Sequence, residues 1–363
     1  MRCFAGLDVS LHSTAVCIID RKGNVVREGI CASDPDALAA FLKASGFSFS
    51  RVGVEASSMA EWLYRGLAKA RVPVVCIEAR QASHVLKTRR NQASHVLKTR
   101  RNKTDKNDAR GIAEIMRTGL YVSVHIKSPE ARRVRILLTA RGLVLTKALD
   151  LENAIGGFLR GFGLKMRRCA ADKFAGQVEQ LAREQRDVLE SISPLMAARA
   201  ELRRQLLEYD RLIKDFVQGD QVCRRLMTAP GVGVWVAAVY RSSIDQPERF
   251  RNSRTVGAHL GLTPRIRQSG TIDISGRISR WGDRLARTAL FTAANVILNP
   301  RRRTCALTVW GLGLVQRRGR MKATVAVARR LAGILHRMWI DQADYQDWRG
   351  SLEPIGSADP VAS

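Results

Sequence analysis

The segments Phe4-Ala5-Gly6-Leu7-Asp8-Val9-Ser10, Ser13–Ile19 and Val25–Ile30 decide the fold of the first third of the chain. Each is an apolar, β-rich run. Arg21-Lys22-Gly23-Asn24 supplies turn chemistry between the second and third, so the three are expected as a meander opening a mixed sheet. Outward from this meander, Asp36–Ala44 has helical spacing, Val52–Glu55 is a short buried strand, Met59–Ala70 a helix and Val72–Ile77 a further strand. Strands alternating with helices predict an α/β layer fold for residues 1–125.

Beyond it the pattern turns helical. Ser128-Pro129 is a helix start, with serine as cap and proline at the first position. Ser193-Pro194 opens a second long helix. Along it Leu195, Ala198, Leu202, Leu206, Tyr209, Ile213 and Phe216 are spaced three or four apart, a seam that suits either a bundle core or an oligomerising coil. Gly219 ends it. The expected organisation is thus residues 1–125 as α/β, 126–219 as a helical, coiled-coil middle, 220–348 as a helical basic region, and 349–363 as a flexible tail.

The 363 residues carry 61 Lys+Arg against 33 Asp+Glu, a formal net charge of +28. Such an excess points to a polyanion, most simply nucleic acid, and away from an ordinary metabolic enzyme. A 45% hydrophobic content excludes wholesale disorder. No run of eighteen apolar residues occurs and Met1-Arg2-Cys3 leads straight into a strand, so neither a spanning helix nor a signal peptide is expected. The seven cysteines, at 3, 17, 31, 76, 169, 223 and 305, form no close pair. They fit a reducing cytoplasm rather than a zinc ribbon or a disulfide scaffold.

Asp8 and Glu55 end their strands ahead of small residues, where an acid is placed to hold a metal or simply to cap a turn. Lys103-Thr104-Asp105-Lys106-Asn107-Asp108-Ala109 opens a third helix that runs to Arg117, with Gly119 as its stop. With Asp105 at 0°, Asp108 falls at about 300°, Ile112 at about 340°, Ile115 at about 280° and Met116 at about 20°. Both aspartates therefore share the apolar side, opposite Lys106, Arg110, Glu114 and Arg117. Solvent-facing acids would suffice to offset the helix dipole, whereas acids turned toward a sheet need partners, and a divalent cation is a good one. Four carboxylates, Asp8, Glu55, Asp105 and Asp108, suit two hard cations such as Mg²⁺ bridging a phosphodiester.

In the third region, Leu226-Met227-Thr228-Ala229-Pro230-Gly231-Val232-Gly233 has the form of a helix–hairpin–helix. Its Gly231 and Gly233 would expose backbone N–H groups to a phosphate, or would make a plain interhelical turn. Ser269 comes next in Gly261-Leu262-Thr263-Pro264-Arg265-Ile266-Arg267-Gln268-Ser269-Gly270. This is a stretch expected to be a loop, with Arg265, Arg267, Arg277 and Arg280 around it able to hold a phosphate.

Taken in order, the blocks GLDVS, VGVEAS, RNKTDKNDARGIAEIMRTG, LMTAPGVG, GLTPRIRQSG and GRISRWGDRLAR resemble the IS-one-ten family of bacterial insertion-sequence transposases, related to the Piv invertases. The resemblance spans roughly residues 1–345. It implies a RuvC-like (RNase H-type) N-terminal domain whose metal site is Asp8, Glu55, Asp105 and Asp108, a coiled coil used for dimer formation, and a C-terminal transposase domain with Ser269 as nucleophile. It further implies a phosphoserine intermediate, donor and target DNA as substrates, a structured bridge RNA as guide, and dimers that pair into a tetramer.

One feature departs from that pattern. Gln81–Asn91 and Gln92–Asn102 are the same eleven residues, QASHVLKTRRN, in tandem, where the family has one copy. As a helical insertion it would add about three turns, or roughly 16 Å, and carry Asp105 and Asp108 out of register with Asp8 and Glu55. As a loop it would leave the site intact. Three other readings remain: a hydrolytic junction nuclease using the same acids with water, an inactive nucleic-acid-binding relic, and an actin-like kinase, which GLDVSLHSTAVCIID resembles but which lacks a second Asp-Gly phosphate loop.

Overall fold

The computed structural model describes residues 2–78, 104–269, 272–299, 301 and 304–347. The tandem repeat and the tail after 347 lie outside the described residues. Two compact units divide the chain, residues 1–127 and 128–363.

The first unit is a five-stranded mixed sheet. β1 (Arg2–Val9), β2 (Ser13–Ile19) and β3 (Val25–Ala32) form the expected meander. α1 (Pro35–Lys43) then leads to β4 (Ser48–Glu55), and α2 (Ala60–Lys69) to β5 (Val74–Ile77). The order is β3-β2-β1-β4-β5. β1 pairs antiparallel with β2 and parallel with β4. This mixed α/β arrangement is consistent with an RNase H-type domain.

Alternation along β1 and β4 sends each strand's residues to two cores. Cys3, Ala5, Leu7, Val52 and Val54 pack with Leu38 and Leu42 of α1 and Leu63 and Leu67 of α2. Phe4, on the other face, packs with Ala109, Ile112, Ile115 and Met116 of α3 (Asp105–Thr118). Thr104 caps α3, its hydroxyl accepting from the Asn107 N–H at 3.3 Å, and Gly119 closes it in the left-handed conformation, φ +73°.

A polar clamp fixes the flank of α3 that faces β3. Glu28 of β3 accepts from Nη2 of Arg110 at 2.9 Å, from Nε of the same guanidinium, and from Nζ of Lys106 at 2.8 Å.

The second unit begins with α4 (Pro129–Gly161), capped by Ser128 as its sequence predicts. α5 (Phe174–Leu181) comes next, then α6 (Arg186–Gly219). α4 and α6 form a long antiparallel arm: Arg141 pairs with Asp210 near one end, and Glu152 with Arg199 and Arg203 toward the other. α6 starts at Arg186 rather than at Ser193. Pro194 lies inside it, and Val188 and Ile192, buried against Ile155 and Leu159 of α4, hold the turns ahead of the proline. Of the predicted seam, Leu206 and Ile213 are buried and Ala198 is exposed, because buried Arg199 takes the inward position.

The base of the arm shares one core with the helices beyond it. Val134, Leu138, Ile213 and Val217 join α7 (Gln221–Leu226), α8 (Val234–Ile244), α10 (Arg284–Ile297) and α12 (Arg320–Ile340) in that core. α9 (Ser253–His259) and α11 (Ala306–Arg318) are the remaining α-helices among the described residues. Between α9 and α10 the region expected to be helical and looped instead holds a two-stranded hairpin, β6 (Pro264–Ser269) and β7 (Ile272–Ile278). Isoleucines at 266, 272, 274 and 278 give these stretches β character, and only two residues connect them.

The hydrogen bonds from Arg110 hold the Glu28 carboxyl down to about 2, against an ordinary 4.5, with Lys106 adding to the effect. A carboxyl depressed by folding contributes stability above its unfolded pKa and loses it as pH falls through the folded value. The gap in urea midpoint between wild type and Glu28→Gln is therefore expected to be full above pH 4.5 and to shrink steadily toward pH 2.

Candidate active site

Two glycines seat α3 on the sheet, one against helix main chain and one under helix side chains. A Cβ on Gly6 would lie 2.1 Å from the Ala109 carbonyl oxygen and 2.3 Å from the Ala113 nitrogen. One on Gly53 would lie 2.7 Å from Cγ2 of Ile112 and 2.8 Å from Cγ of Met116. At the other end of the helix, Gly119 lies beside the Arg51 guanidinium. Running along β4 from 51 to 53 thus runs backward along α3 from 119 to 112, and the helix lies antiparallel to β1 and β4.

Extrapolation by known rises places the acids. Asp8 and Glu55 lie two residues beyond Gly6 and Gly53, roughly 6.6 Å of strand. Asp105 precedes Ala109 by four residues, roughly 6 Å of helix. Gly6 is paired with Gly53 and Leu7 with Val54, so Asp8 and Glu55 end adjacent strands on the α3 face. The first turn of α3 comes level with both.

The helical phases agree. Residues at about 340° to 20° rest on β4 (Ile112, Met116), those at about 40° to 80° on β1 (Ala109, Ala113), and those at about 100° to 140° reach β3 (Lys106, Arg110). By phase Asp105 falls over the β1–β4 seam and Asp108 over the β4–β5 side, but only Asp108 is turned inward: Asp105, expected to face the sheet as well, stands in the open first turn of the helix and is exposed. Asp108 is buried, Asp8 and Glu55 half-buried, and Asp105 exposed. The four carboxylates share one end of the sheet. Among the described residues, no three His, Cys, Asp or Glu side chains stand close enough together to hold a metal ion.

Ser269 belongs to the second unit and is exposed at the tip of the hairpin, where it is the last residue of β6 and opposes Ile272. It is a strand residue rather than the loop residue its Gly- and Pro-rich surroundings suggest. Arg265 and Arg277 are exposed near the hairpin base, and Arg265 donates to the Ser279 carbonyl at 3.1 Å. Arg280 is exposed with φ +57°, and Arg267 opposes Ile274 across the ladder.

The two strands leave the helical core through a backbone crossing made by glycine. A Cβ on Gly261 (φ +70°) would meet the Trp281 carbonyl at 2.1 Å, and one on Gly282 (φ +77°) the His259 carbonyl at 2.1 Å. Gly231 (φ +75°) is likewise spent on packing, since its Cβ would lie 2.6 Å from the Ala293 carbonyl of α10. Gly233 caps α8 in extended backbone with open space around it.

Similarity to known proteins falls in two stretches, the first of which runs past the boundary between the units through α4. A DEDD-type IS110 transposase model matches residues 5–163, and one described as the transposase IS116/IS110/IS902 family matches residues 223–306. A probable family 20 transposase of Pseudomonas aeruginosa is 30% identical over 245 residues, 64% of this chain and 71% of its own length. The chain belongs to the IS110 (IS-one-ten) family of insertion-sequence transposases, enzymes that cleave and rejoin DNA. The similarity to the transposase for insertion sequence element IS1111A of Coxiella burnetii, 27% identical over 350 residues, spans 94% of this chain and 90% of that one. A third relative, the transposase for element IS1328 of Yersinia enterocolitica, is 25% identical over 237 residues, 64% of this chain and 71% of its own length. Among the described residues of this IS110 transposase, no helix is long and apolar enough to cross a membrane.

Residues without an assigned role in the sequence motifs hold the hairpin of the transposase in place. Asp283 caps α10 by accepting from the Leu285 and Ala286 N–H groups, and also receives Arg135 of α4 at 2.6 Å and the Ser243 hydroxyl of α8 at 2.8 Å. Arg287 donates to the carbonyls of Leu260 and Trp281, one on each side of the crossing. An Asp directly before a helical run was the available signal for the first. The second has no local signal, because its partners are main-chain atoms far apart in sequence.

Gly6→Ala is expected to cost about 1–3 kcal/mol or more, since backbone stands where the methyl must go. Gly176→Ala, in the open interior of α5, is expected to stabilise by about 0.5–1 kcal/mol. Denaturant midpoints of the two variants check both signs.

Proposed function

We propose that this transposase cuts DNA with Ser269 as nucleophile, while Asp8, Glu55, Asp105 and Asp108 hold Mg²⁺ beside the scissile phosphate. The observation that supports the acid set is the seating of α3 on Gly6 and Gly53, which brings its first turn level with the ends of β1 and β4. The donor set fits the ion: carboxylate oxygens are hard ligands, and a cation is what draws mutually repelling carboxylates together. Mg²⁺ held there would polarise the phosphoryl oxygens and stabilise the leaving oxygen.

Ser269 supplies the bond-forming step. Its hydroxyl gives up a proton and attacks phosphorus. The bond from phosphorus to one deoxyribose oxygen breaks, and that sugar leaves as a free hydroxyl. A strand-end hydroxyl attacking the phosphoserine reverses the step, releasing the serine and restoring a phosphodiester without a high-energy cofactor. Arg265, Arg267, Arg277 and Arg280 offset phosphate charge around the serine. Between α7 and α8, Gly233 with open space around it, and Gly231 on the side it does not turn to α10, contact the DNA backbone through main-chain N–H groups.

In this reading the chain works as a homodimer that pairs into a tetramer on donor and target DNA, with a structured bridge RNA choosing the sequence. Support comes from the family resemblance and from a net charge of +28, enough for more than one polyanion. Exposed Leu143 and Leu207 on the arm offer apolar surface for a second copy.

A second reading, hydrolytic junction cleavage, is favoured by the placement of all four acids in one unit that does not contain Ser269. Water would then replace the serine.

Trapping on DNA in Mg²⁺ separates the two. Wild type is expected to give a covalent protein–DNA adduct, and Ser269→Ala to lose it, with rejoining down on the order of a thousandfold or more. Asp108→Asn is expected to bind DNA and not cleave it. Free nicked ends from both wild type and Ser269→Ala would establish hydrolysis instead. Inactivity of wild type cured by deleting one QASHVLKTRRN copy would mark the duplication as the cause of a relic. Sequencing of co-purified RNA tests the guide.

A further inference from the structure

The apolar contacts under α3 leave one degree of freedom weakly held. At Gly6 the helix rests main chain on main chain, over Gly53 the Ile112 and Met116 side chains fill the gap, and apolar contact is non-directional. Neither resists a small roll about the helix axis as a directional bond does. The carboxylates of Asp105 and Asp108 are sensitive to that roll. A turn of about 25° at a radius of roughly 5 Å carries a side-chain tip by roughly 2 Å. That is as large as an entire Mg–O bond of about 2.1 Å.

Glu28 supplies a directional stop near the N-terminal end of α3, while Arg117 donates to the Arg21 carbonyl at 3.4 Å near the other end. Glu28 receives two hydrogen bonds from the Arg110 guanidinium and an ion pair from Lys106, residues one helical turn apart. A bidentate fork fixes orientation as well as distance. Because its two partners are spaced along the helix, the carboxylate also resists axial sliding. Lys106 and Arg110 lie at about 100° and 140°, roughly opposite Asp108 at about 300°. Holding that flank toward β3 holds the Asp108 flank toward β4. Glu28 itself is held, since its strand is paired through Cys17 on β2, whose side chain belongs to the core under α3.

We propose that Glu28 is a positioning residue for the cleavage reaction: through Arg110 and Lys106 it sets the roll and register of α3, and thereby the facing of Asp105 and Asp108. The inference rests on the acid set proposed above. Loss of a group that orients metal ligands typically lowers metal affinity about tenfold to a hundredfold, and Glu28 stands in that relation without touching the ligands.

The test uses full-length protein and Mn²⁺ as probe, with melting temperature read against metal concentration and strand cleavage read in parallel. Wild type is expected to gain stability with Mn²⁺, and Asp108→Asn to gain little. Glu28→Gln is expected to melt below wild type without metal, as loss of the clamp requires, and, measured from that lower baseline, to need about ten times more Mn²⁺ for the same rise and for half-maximal cleavage. Arg110→Lys keeps the charge and loses the fork, so it is expected to shift the same way. It carries the test if Glu28→Gln does not fold. If Glu28→Gln and Arg110→Lys titrate like wild type while Asp108→Asn loses its response, the positioning role is overturned and the acid set stands. If wild type ignores Mn²⁺, or Asp108→Asn responds as wild type does, the acid set is rejected and this inference with it.

Discussion

The close seat of α3 on the sheet is the constraint on which the first unit depends. A helix normally packs about 10 Å from a sheet because side chains on both stand between the backbones. At Gly6 and Gly53 the sheet contributes none, and the helix sinks until the backbone of Ala109 and Ala113 meets β1 and the side chains of Ile112 and Met116 fill the space over β4. The cost is two glycines in strand interiors, which weaken β pairing and leave apolar area unfilled. The gain is geometric. With the axis this low, the first helical turn, which carries Asp105 and Asp108, comes level with the ends of β1 and β4.

The close seat explains why the polar residues of α3 are sorted as they are. A low helix exposes its two flanks at once, one toward β5 and one toward β3. Placing Lys106 and Arg110 on the β3 flank gives them Glu28 and keeps two cations apart in phase from Asp105 and Asp108. Glu114 and Arg117 continue that flank as a pair of their own. The buried position of Asp108 fits the same logic. A carboxylate held out of water at a helix N-terminus is helped by the dipole, but the dipole would be satisfied equally by an exposed acid such as Asp105. Burial is therefore a cost that offsetting the dipole does not explain.

Much of this was legible in the sequence because it rests on short periods. The meander, the caps at Thr104 and Ser128 and the stop at Gly119 each arise from neighbouring residues. So does the phase that puts Asp108 inside and Arg110 outside, although Asp105, expected inside with Asp108, is exposed at the first turn. What stayed hidden depends on partners distant along the chain. The reason for glycine at 6 and 53 lies in a helix some fifty to a hundred residues away. Ser193-Pro194 has every local mark of a helix start, yet α6 runs through it, because burial of Val188 and Ile192 at the tip of the arm outweighs one missing N–H. The hairpin around Ser269 was masked by glycines and a proline that have the composition of a loop, although the isoleucines alternate as in strands. Composition records which residues bend; it does not record where two strands cross.

The crossing beneath that hairpin repeats, in the second unit, the device used in the first. Gly261 and Gly282 let two backbone segments approach to a distance no Cβ would permit, and Arg287 bonds a carbonyl on each side. The strands then project from a fixed base, and Ser269 stands at their far end. In both units a group read as reactive thus lies beyond a glycine-made contact, on backbone whose direction that contact sets. A reactive residue placed at the end of such a lever inherits the precision of its base, so the base has to be held by directional bonds. Asp283 meets that need in the second unit, with Arg135, Ser243 and the α10 N-terminus converging on one carboxylate. Glu28 has the same form in the first. Each is an acid that receives arginine and other donors at once, sits away from the reactive group, and joins elements distant in the chain. Side chains of this kind leave little trace in a motif, because what they serve is the direction of a backbone rather than a substrate.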